Sequence, residues 1–417
     1  MSSDMSSELA KRAAEAVDEG FLLELCQSLV RIRSVYEPEQ GNTEQAVAEF
    51  LAERLQALGL SPILQNVTPE RPNLIADWEG SDYDPSKHKT LMFEGHSDVV
   101  TEGEASTWQH PPFSGELIDG KVYGRGSADM KGGIAAAIAA LAAVQRVAPD
   151  IAGRIRLGVV VDEEGMMIGI KDFIRQGWAD EVDGAIICEP EENELCLFQK
   201  GAMRVSITFT GVMSHGAMPY AGVNPIAALS SFIEQLKALE REEQVRLGEH
   251  PYLGLPWFTP TIVKAPPTGE AQLNVMPAQA YLALDIRTIP GQEHGDIEQR
   301  LRSIAEHICL ATPKLSIDLD VFESRPWTST PQDDGLVLAL EQAYPLVLDK
   351  DPKYGGVPGA TDGTFLNAWA KIPTVTVGPG DRTIPHQKDE FVRLADLLDA
   401  ARLYASSSIL YFCQDTA

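Results

Sequence analysis

The sequence predicts an α/β fold with a central, mostly parallel sheet flanked by helices, and an α+β domain inserted into it. The 417-residue chain is longer than the roughly 250–300 residues that one hydrophobic core usually serves, which predicts two domains. Short apolar runs alternate with helical stretches at both ends of the chain, whereas alternating strands and helices fill the middle. We therefore predict a discontinuous first domain of residues 1–200 and 327–417, and an inserted domain of residues 201–326.

The first part of the chain predicts helices followed by strands. Apolar positions at helical spacing predict two opening helices, within residues 7–35 and 43–58. Short apolar runs then predict strands at 73–76, 90–93, 156–161 and 184–187. The alanine-rich stretch Gly132–Val144 is only about 13 residues long, short of the roughly 20 that span a bilayer, so no transmembrane segment is expected.

The middle and the end of the chain show two different patterns of predicted secondary structure. Within 201–326, apolar alternation and helical spacing predict a strand at 205–209, a helix at 224–242, a strand at 281–285, a helix at 296–309 and a strand at 315–322. The α/β pattern then returns with a helix at 335–344, a strand at 372–377 and a final helix at 394–412.

Charge and cysteine content limit the partners and the compartment. The chain has 34 Lys and Arg against 61 Asp and Glu, a net charge of −27, so binding to nucleic acid or to an anionic membrane surface is not expected. Its five cysteines are scattered and mostly lie in apolar runs, which is typical of buried thiols in a reducing compartment. The polar start lacks the apolar core of a secretory signal, so the expected location is the cytoplasm.

Five loops that follow apolar runs carry histidines or acids, the residue types that bind metal ions. They hold His96 with Asp98, Asp129, Glu163 with Glu164, Glu189, and His386. Any one of these could be an ordinary polar loop residue or a helix cap, so the prediction rests on the whole set. Imidazole and carboxylate donors without thiolate suit Zn²⁺, Co²⁺ or Mn²⁺, and we expect one or two such ions per subunit.

The same residues supply the parts of a hydrolytic site. Asp129 is the natural bridge between two ions that activate a water, and a further carboxylate must carry the proton to a leaving nitrogen. Glu163 and Glu164 are adjacent and on a loop can point in different directions, so one would bind metal and the other would act as the base.

Taken in order, these segments resemble the dinuclear zinc aminoacylase and carboxypeptidase family that includes acetylornithine deacetylase, succinyl-diaminopimelate desuccinylase and glutamate carboxypeptidase. The resemblance is carried by His-Ser-Asp-Val-Val, Gly-Arg-Gly-Ser-Ala-Asp-Met-Lys-Gly-Gly, Asp-Glu-Glu-Gly, Cys-Glu-Pro and the late histidine. It implies one metal held by His96, Asp129 and Glu189, and a second held by Asp129, Glu164 and His386. It also implies that Glu163 is the general base and then the acid, and that Asp98 accepts a hydrogen bond from the His96 ring.

The inserted domain is similar to the lid and dimerisation domain of that family. The resemblance implies a homodimer or higher homo-oligomer in which His215 reaches the active site of the partner subunit and stabilises the oxyanion. It also suggests that Asn224, Asn274 and Arg287 contact the substrate. Asn224 could instead cap the following helix, and Arg287 could pair with a surface acid.

Two departures from the family pattern concern the substrate. Thr364 stands where relatives carry an arginine that grips a substrate carboxylate, and Arg382 is a candidate replacement cation. Met166 and Met167 follow the Asp-Glu-Glu loop, where small residues are common, and could make the pocket apolar or pack in the core.

Three functional hypotheses follow. The first is an amidohydrolase acting on an N-acyl amino acid or a similar small carboxylate, at a C–N bond outside a peptide chain. The second is an aminohydrolase that releases ammonia from an aromatic amino acid such as 5-nitroanthranilate. The third is a non-catalytic binding protein that keeps the fold, against which the intact ligand and base residues argue.

Overall fold

The computed structural model describes residues 3–414, which divide into two compact units. The first comprises residues up to 198, 329–357 and 361 onwards, and the second comprises 199–328 with the short segment 358–360. The boundaries predicted at 200/201 and 326/327 lie two residues from the junctions at 198/199 and 328/329. That the short segment 358–360 belongs to the second unit was not predicted.

The helices and strands have the following bounds. The α-helices are α1 (Ser3–Glu15), α2 (Glu19–Arg31), α3 (Gln45–Ala57), α4 (Gly132–Val147), α5 (Ile168–Arg175), α6 (Pro225–Leu247), α7 (His294–Ala311), α8 (Gly335–Leu348), α9 (Gly363–Ala368) and α10 (Leu394–Phe412). The strands are β1 (Ile63–Thr68), β2 (Arg71–Glu79), β3 (Thr90–His96), β4 (Glu116–Ile118), β5 (Lys121–Tyr123), β6 (Arg154–Val160), β7 (Gly184–Ile187), β8 (Leu195–Gln199), β9 (Gly201–Thr210), β10 (Ser214–His215), β11 (Trp257–Lys264), β12 (Val275–Met276), β13 (Gln279–Thr288), β14 (Ser316–Arg325), β15 (Thr328–Ser329), β16 (Tyr354–Val357), β17 (Thr374–Thr376) and β18 (Phe391–Arg393).

The first predicted helix is two helices in the structure. The chain breaks at Asp18, whose carboxylate accepts a hydrogen bond of 3.0 Å from the Phe21 N–H and so caps the start of α2. The helices predicted at 43–58 and 394–412 coincide closely with α3 and α10.

The first unit is built on a nine-stranded sheet whose centre is parallel. The order is β1-β2-β6-β3-β7-β17-β8-β15, with β16 paired to β8. The pairs β6–β3, β3–β7 and β7–β17 are parallel, whereas β1–β2, β2–β6 and β17–β8 are antiparallel. The predicted α/β class with a mostly parallel central sheet is confirmed, and its outer pairs are antiparallel.

Helices cover both faces of this sheet because its strands are apolar on both sides. On one face, Leu91 and Phe93 of β3 pack in a cluster that includes α1, α2, α3, α4, α8 and α10. On the other face, Met92 packs with α5 and α9. Burial of both faces leaves the ends of the strands as the open positions of the sheet.

Helix α4 lies in the core and is buried over nearly its whole length. The helical stretch Ser127–Val147 is long and apolar enough to span a membrane by length and composition, but 94% of its apolar window is buried inside the protein. A Cβ at Gly133 would come within 2.0 Å of the Cys188 carbonyl oxygen, so glycine lets the helix approach the end of β7. A buried core helix accounts for this apolar stretch.

The second unit is an α+β domain, as its strand alternation predicts. Its sheet has the antiparallel order β11-β13-β9-β14. Alternate residues of β9, such as Val205 and Ile207, point into a core shared with α6 and α7. A separate short pair joins β10 to β12.

Candidate metal centre

The four parallel strands at the centre of the first unit lead into the loops that carry the predicted site. Strand β3 ends at His96, β6 leads into Glu163 and Glu164, and β7 leads into Glu189. Strand β17 precedes the loop of His386, and Asp129 lies in the turn before α4. Because the carboxyl ends of parallel strands share one edge of the sheet, residues far apart in the chain meet there.

One group of possible ligands comprises His96, Asp129 and Glu189. Their nearest ligand atoms lie within 4.8 Å of one another. The Nε2 atom of His96 is 3.1 Å from Oδ1 of Asp129 and 3.6 Å from Oε1 of Glu189. His96 is fully buried, so the imidazole is held at the floor of the site.

A second group shares Asp129 and adds Glu164 and His386. Nε2 of His386 is 2.8 Å from Oε1 of Glu164 and 3.3 Å from Oδ2 of Asp129. Hydrogen bonds to Asp129 and Glu164 raise the pKa of His386 to about 10. Asp129 presents one carboxylate oxygen to each group, which is compatible with the predicted bridge between two ions.

The site concentrates buried negative charge. Glu163 and Glu189 are less than one-tenth exposed, and burial raises the pKa of each well above its usual value. Burial also acts to raise the pKa of Asp129, but interactions with the His386 and His96 rings outweigh it and hold that pKa below its usual value. Among residues 3–414, no lysine or arginine forms an ion pair with any of these three acids.

This donor set fits divalent metal ions. Buried carboxylates destabilise one another unless cations compensate them, and here histidines alone lie within ion-pair distance. Two groups of nitrogen and oxygen donors with a shared carboxylate suit a pair of ions of the Zn²⁺, Co²⁺ or Mn²⁺ type.

Asp98 approaches the His96 ring with two groups, and its carboxylate also supports the neighbouring loop. Nδ1 of His96 lies 2.9 Å from the backbone carbonyl oxygen of Asp98, while the nearest carboxylate oxygen is 3.6 Å away. A carbonyl can only accept, so Nδ1 carries the proton and Nε2 faces the ligand groups. The Asp98 carboxylate also accepts from the backbone N–H groups of Glu163, at 3.2 Å, and Glu164, at 3.1 Å.

Glu390 is a site residue that the sequence did not reveal. It is completely buried, and its Oε1 accepts hydrogen bonds from the backbone N–H groups of Ala128 and Asp129 at 3.0 and 3.1 Å. Its Oε2 lies 2.5 Å from Nη1 of Arg125, which also lies in the glycine-rich segment. Glu390 therefore holds the turn that presents Asp129. The sequence signal that could have indicated an acidic partner for this turn is Arg125 in the glycine-rich segment.

The structure places two of the predicted lid residues side by side in the second unit. His215 pairs with Val275 between β10 and β12, and the N–H of Gly216 donates to the carbonyl of Asn274 at 2.7 Å. The His215 side chain is exposed, and its Nδ1 accepts from the Ala217 N–H at 3.0 Å. Nδ1 is thus used locally, which leaves Nε2 as the atom that can reach a ligand.

Two other predicted contacts of this unit have structural partners. Asn224 caps α6 by accepting from the Ile226 N–H at 3.0 Å. Arg287 pairs with Asp285, with Nε 2.6 Å from a carboxylate oxygen. Asn224 therefore caps a helix and Arg287 pairs with an acid, the two alternatives to a substrate contact that the sequence allowed.

The residues singled out as departures from the family pattern also have partners or neighbours in the first unit. Thr364 is fully buried in α9, and Arg382 is held by Glu191 at 3.3 Å and Glu194 at 2.6 Å. Met167 is fully buried in the core, whereas the side chain of Met166 is 41% exposed. Of the two methionines, Met166 is therefore the one whose side chain is open to the surroundings of the loop.

Comparison with known proteins decides the family. The sequence pattern described as Peptidase family M20/M25/M40 matches residues 92–408. The chain belongs to this family. It is 31% identical over 405 residues to succinyl-diaminopimelate desuccinylase from Methylorubrum populi, an alignment that covers 94% of this chain and 98% of that one.

Two solved structures share its fold. Aminopeptidase PepT from Bacillus cereus superposes with a TM-score of 0.75 at 17% identity, over 95% of this chain and 99% of that one. A dinuclear metal-binding peptidase from Bacillus subtilis superposes with a TM-score of 0.70 at 16% identity, over 95% of this chain and 99% of that one.

Membership of this family confirms the predicted resemblance, and with the two ligand groups it confirms the predicted class of cofactor. The protein is a metal-dependent hydrolase of carbon–nitrogen bonds, with donors for one or two divalent ions per subunit. This enzymatic assignment is the one predicted from the sequence, and it replaces the hypothesis of a non-catalytic binding protein.

Proposed function

We propose that this M20/M25/M40 enzyme removes the acyl group from a small N-acylated amino acid that carries a carboxylate. The observation that carries the proposal is the pair of ligand groups sharing Asp129, with Glu163 buried beside them and next to Glu164. The 31% identity to a succinyl-diaminopimelate desuccinylase over most of both chains supports an N-acyl amino acid as the substrate class.

The proposed roles divide the site between holding ions and moving a proton. His96, Asp129 and Glu189 would hold one ion, and Asp129, Glu164 and His386 the second. When bound, such ions lower the pKa of a water towards neutrality and polarise the scissile carbonyl. Glu163 would accept a proton from the attacking water and deliver it to the leaving nitrogen.

Asp98 and Glu390 would act through the backbone. Asp98 fixes the direction of the Glu163–Glu164 loop through two N–H groups, and Glu390 fixes that of the Asp129 turn through another two. Such supporting hydrogen bonds keep ligands oriented and commonly matter nearly as much as the ligands.

The proposed assembly and cellular location are those that the sequence predicts. His215 would stabilise the oxyanion of a partner subunit in a homodimer or higher homo-oligomer, with Asn274 as its neighbour at the substrate. A variant that is active while monomeric at assay concentration would contradict this role in trans. All five cysteines are free thiols, which supports a cytoplasmic location.

The second candidate, hydrolytic deamination of an aromatic amino acid, is favoured by one observation. Thr364, at the position where relatives carry a carboxylate-binding arginine, is a fully buried neutral residue, and Arg382 is already paired with Glu191 and Glu194. This position therefore has no cation to bind an amino acid carboxylate. An aromatic ring could be received beside Met166.

Product analysis separates the two candidates. The purified protein, loaded in turn with Zn²⁺, Co²⁺ and Mn²⁺, is incubated with N-succinyl-diaminopimelate, N-acetylated amino acids, dipeptides and 5-nitroanthranilate. We expect release of a free carboxylic acid together with an amino acid. Ammonia release from the aminobenzoate, with no hydrolysis of any N-acyl compound, would replace the proposal with the second candidate.

A further inference from the structure

Arg71 lies outside the ligand groups but contacts the segment that carries them. It is the first residue of β2 and is only 3% exposed. Its Nε and Nη2 atoms bind the Glu44 carboxylate at 2.5–3.0 Å, and Glu44 is itself completely buried. The ring of Tyr36 lies 3.6 Å from the guanidinium carbon, so the plane of Arg71 is fixed from two directions.

The second contact of Arg71 is Asp162, the residue immediately before Glu163. Nη2 of Arg71 is 2.7 Å from Oδ1 of Asp162. The pair spans two distant segments, one at the start of β2 and one just after β6. Because Glu44 already balances one charge, the arginine links two acids and does not serve a single ion pair.

Asp162 organises the turn that follows it. Its Oδ2 accepts from the Met166 N–H at 2.9 Å, and its carbonyl accepts from Gly165 and Met167 at 3.2 and 2.7 Å. Asp162 itself has a positive φ of 69°, an uncommon backbone conformation for a residue with a side chain. A Cβ at Gly165 would come within 2.8 Å of Oδ1 of Asp162, so the turn closes tightly over this carboxylate.

We propose that Arg71 is a positioning residue of the hydrolytic site, which acts through Asp162 to set the directions of Glu163 and Glu164. The two glutamates are held from both sides, by Asp98 through their backbone N–H groups and by Arg71 through the Asp162 turn. Without Arg71, the Glu44 and Asp162 carboxylates lose the cation that links them, and the turn loses the orientation of its capping group. The inference rests on the proposed function, in which Glu164 binds metal and Glu163 moves the proton.

The chain offers a matched control in Arg156 of β6. It is also buried, and it binds Asp77 with two hydrogen bonds of 2.8 and 2.7 Å. Its other contacts are the ring and the carbonyl of Trp178, none of which belongs to the ligand groups. Loss of Arg156 therefore tests what removal of a buried arginine does to folding alone.

The experiment compares R71A, R71K and R156A by calorimetric titration with Zn²⁺ alone and by turnover of N-succinyl-diaminopimelate. We expect R71A to weaken Zn²⁺ binding at the group containing Glu164 by about 10–100-fold, and to lower kcat by a similar factor with little change in KM. R71K should show a smaller loss, because a lysine can reach one of the two acids but cannot bind both as the planar guanidinium does. R156A should lose thermal stability while its Zn²⁺ affinity stays at the wild-type value.

A folded R71A protein with wild-type Zn²⁺ affinity and wild-type kcat would overturn the inference. If R71A does not fold, R71K decides in the same way, since retained Zn²⁺ affinity and kcat in that variant would overturn it. Failure of the proposed function looks different: the wild type would bind Zn²⁺ normally but hydrolyse none of the N-acyl compounds.

Discussion

Two clusters of charged residues, one at the metal centre and one around Glu243 of the second unit, have opposite electrostatics. At the metal centre, burial raises the pKa of Glu163 and of Glu189, and it raises that of Glu94 to about 8. In the second unit, Glu243 also has little exposed surface, 5%, but it lies less deeply in the protein, and its pKa is lowered. Burial acts on Glu243 too, but hydrogen bonds from Arg246 and Gln292 and the charge of Arg300 outweigh it.

The difference shows how a structural acid can be told from a functional one. Glu243 has its compensating cations within the protein, so its negative charge is complete without any ligand. The acids of the two ligand groups have only histidines as ion-pair partners within residues 3–414, so their negative charge is not balanced without a bound cation. The following predictions test this contrast, from the largest expected effect to the smallest.

Removing metal ions should affect the first cluster alone. We expect treatment with a chelator to lower activity by about 10³-fold or more, because the ions supply several kcal/mol of charge stabilisation in the transition state. Readdition of Zn²⁺ at 100 times its Kd should restore activity and stabilise the fold by about 2.7 kcal/mol, measured as a rise in Tm. Metal analysis that finds no bound ion, with no effect of Zn²⁺ on Tm, would contradict the assignment.

Neutralising the proposed base should separate chemistry from metal binding. We expect Glu163→Gln to lower kcat by about 10²–10⁴-fold, since a glutamine cannot carry the proton, while Zn²⁺ uptake stays at the wild-type level. Glu243→Gln serves as the matched control, because it neutralises a glutamate of the second unit that has a similarly small exposed surface. We expect that control to keep wild-type kcat. Turnover retained by Glu163→Gln would show that the base lies elsewhere.

Truncating the structural acid should affect stability and leave metal binding unchanged. In Glu243→Ala, the buried amide of Gln292 loses its 3.0 Å hydrogen bond, and Arg300 loses a contact of 2.9 Å. We expect a loss of about 1–3 kcal/mol in the free energy of unfolding, measured with urea. Weaker Zn²⁺ binding in this variant would mean that the two clusters are not independent.

The effect of Glu243 should depend on pH in a defined direction. Its pKa in the folded protein lies below the ordinary value of 4.5, so its stabilising contribution is complete above that value. The contribution is lost as the pH falls through the lower folded pKa. We therefore expect the stability difference between the wild type and Glu243→Ala to stay constant above about pH 4.5 and to shrink as the pH falls below it. A difference that grows over this range would reverse the assigned sign.

Much of the fold and of the ligand set could be predicted from the sequence because both have local signals. The spacing of apolar residues predicted the strand at 184–187 and the helix at 394–412, and both ranges coincide with β7 and α10. A histidine or acid directly after an apolar run marks the end of a strand, which is how His96 and Glu189 were found.

The roles of the supporting residues could not be predicted in this way. The sequence predicts that the Asp98 carboxylate holds the His96 ring; in the structure the backbone carbonyl of Asp98 lies nearer to the ring than the carboxylate does, and the carboxylate also holds the backbone of Glu163 and Glu164. Which oxygen faces the ring depends on the path of the loop after β3, and the order of residue types does not determine that path.

The sequence by itself determined which residue types stand at the strand ends, and therefore that this protein has donors for metal ions and a base beside them. Only the tertiary structure decided which buried groups hold them in place. Glu390 reaches the N–H of Ala128 across 262 positions of the chain, and Arg71 reaches Asp162 across 91. Periodicity and turn chemistry arise between near neighbours, whereas such contacts depend on the order in which strands assemble into the sheet.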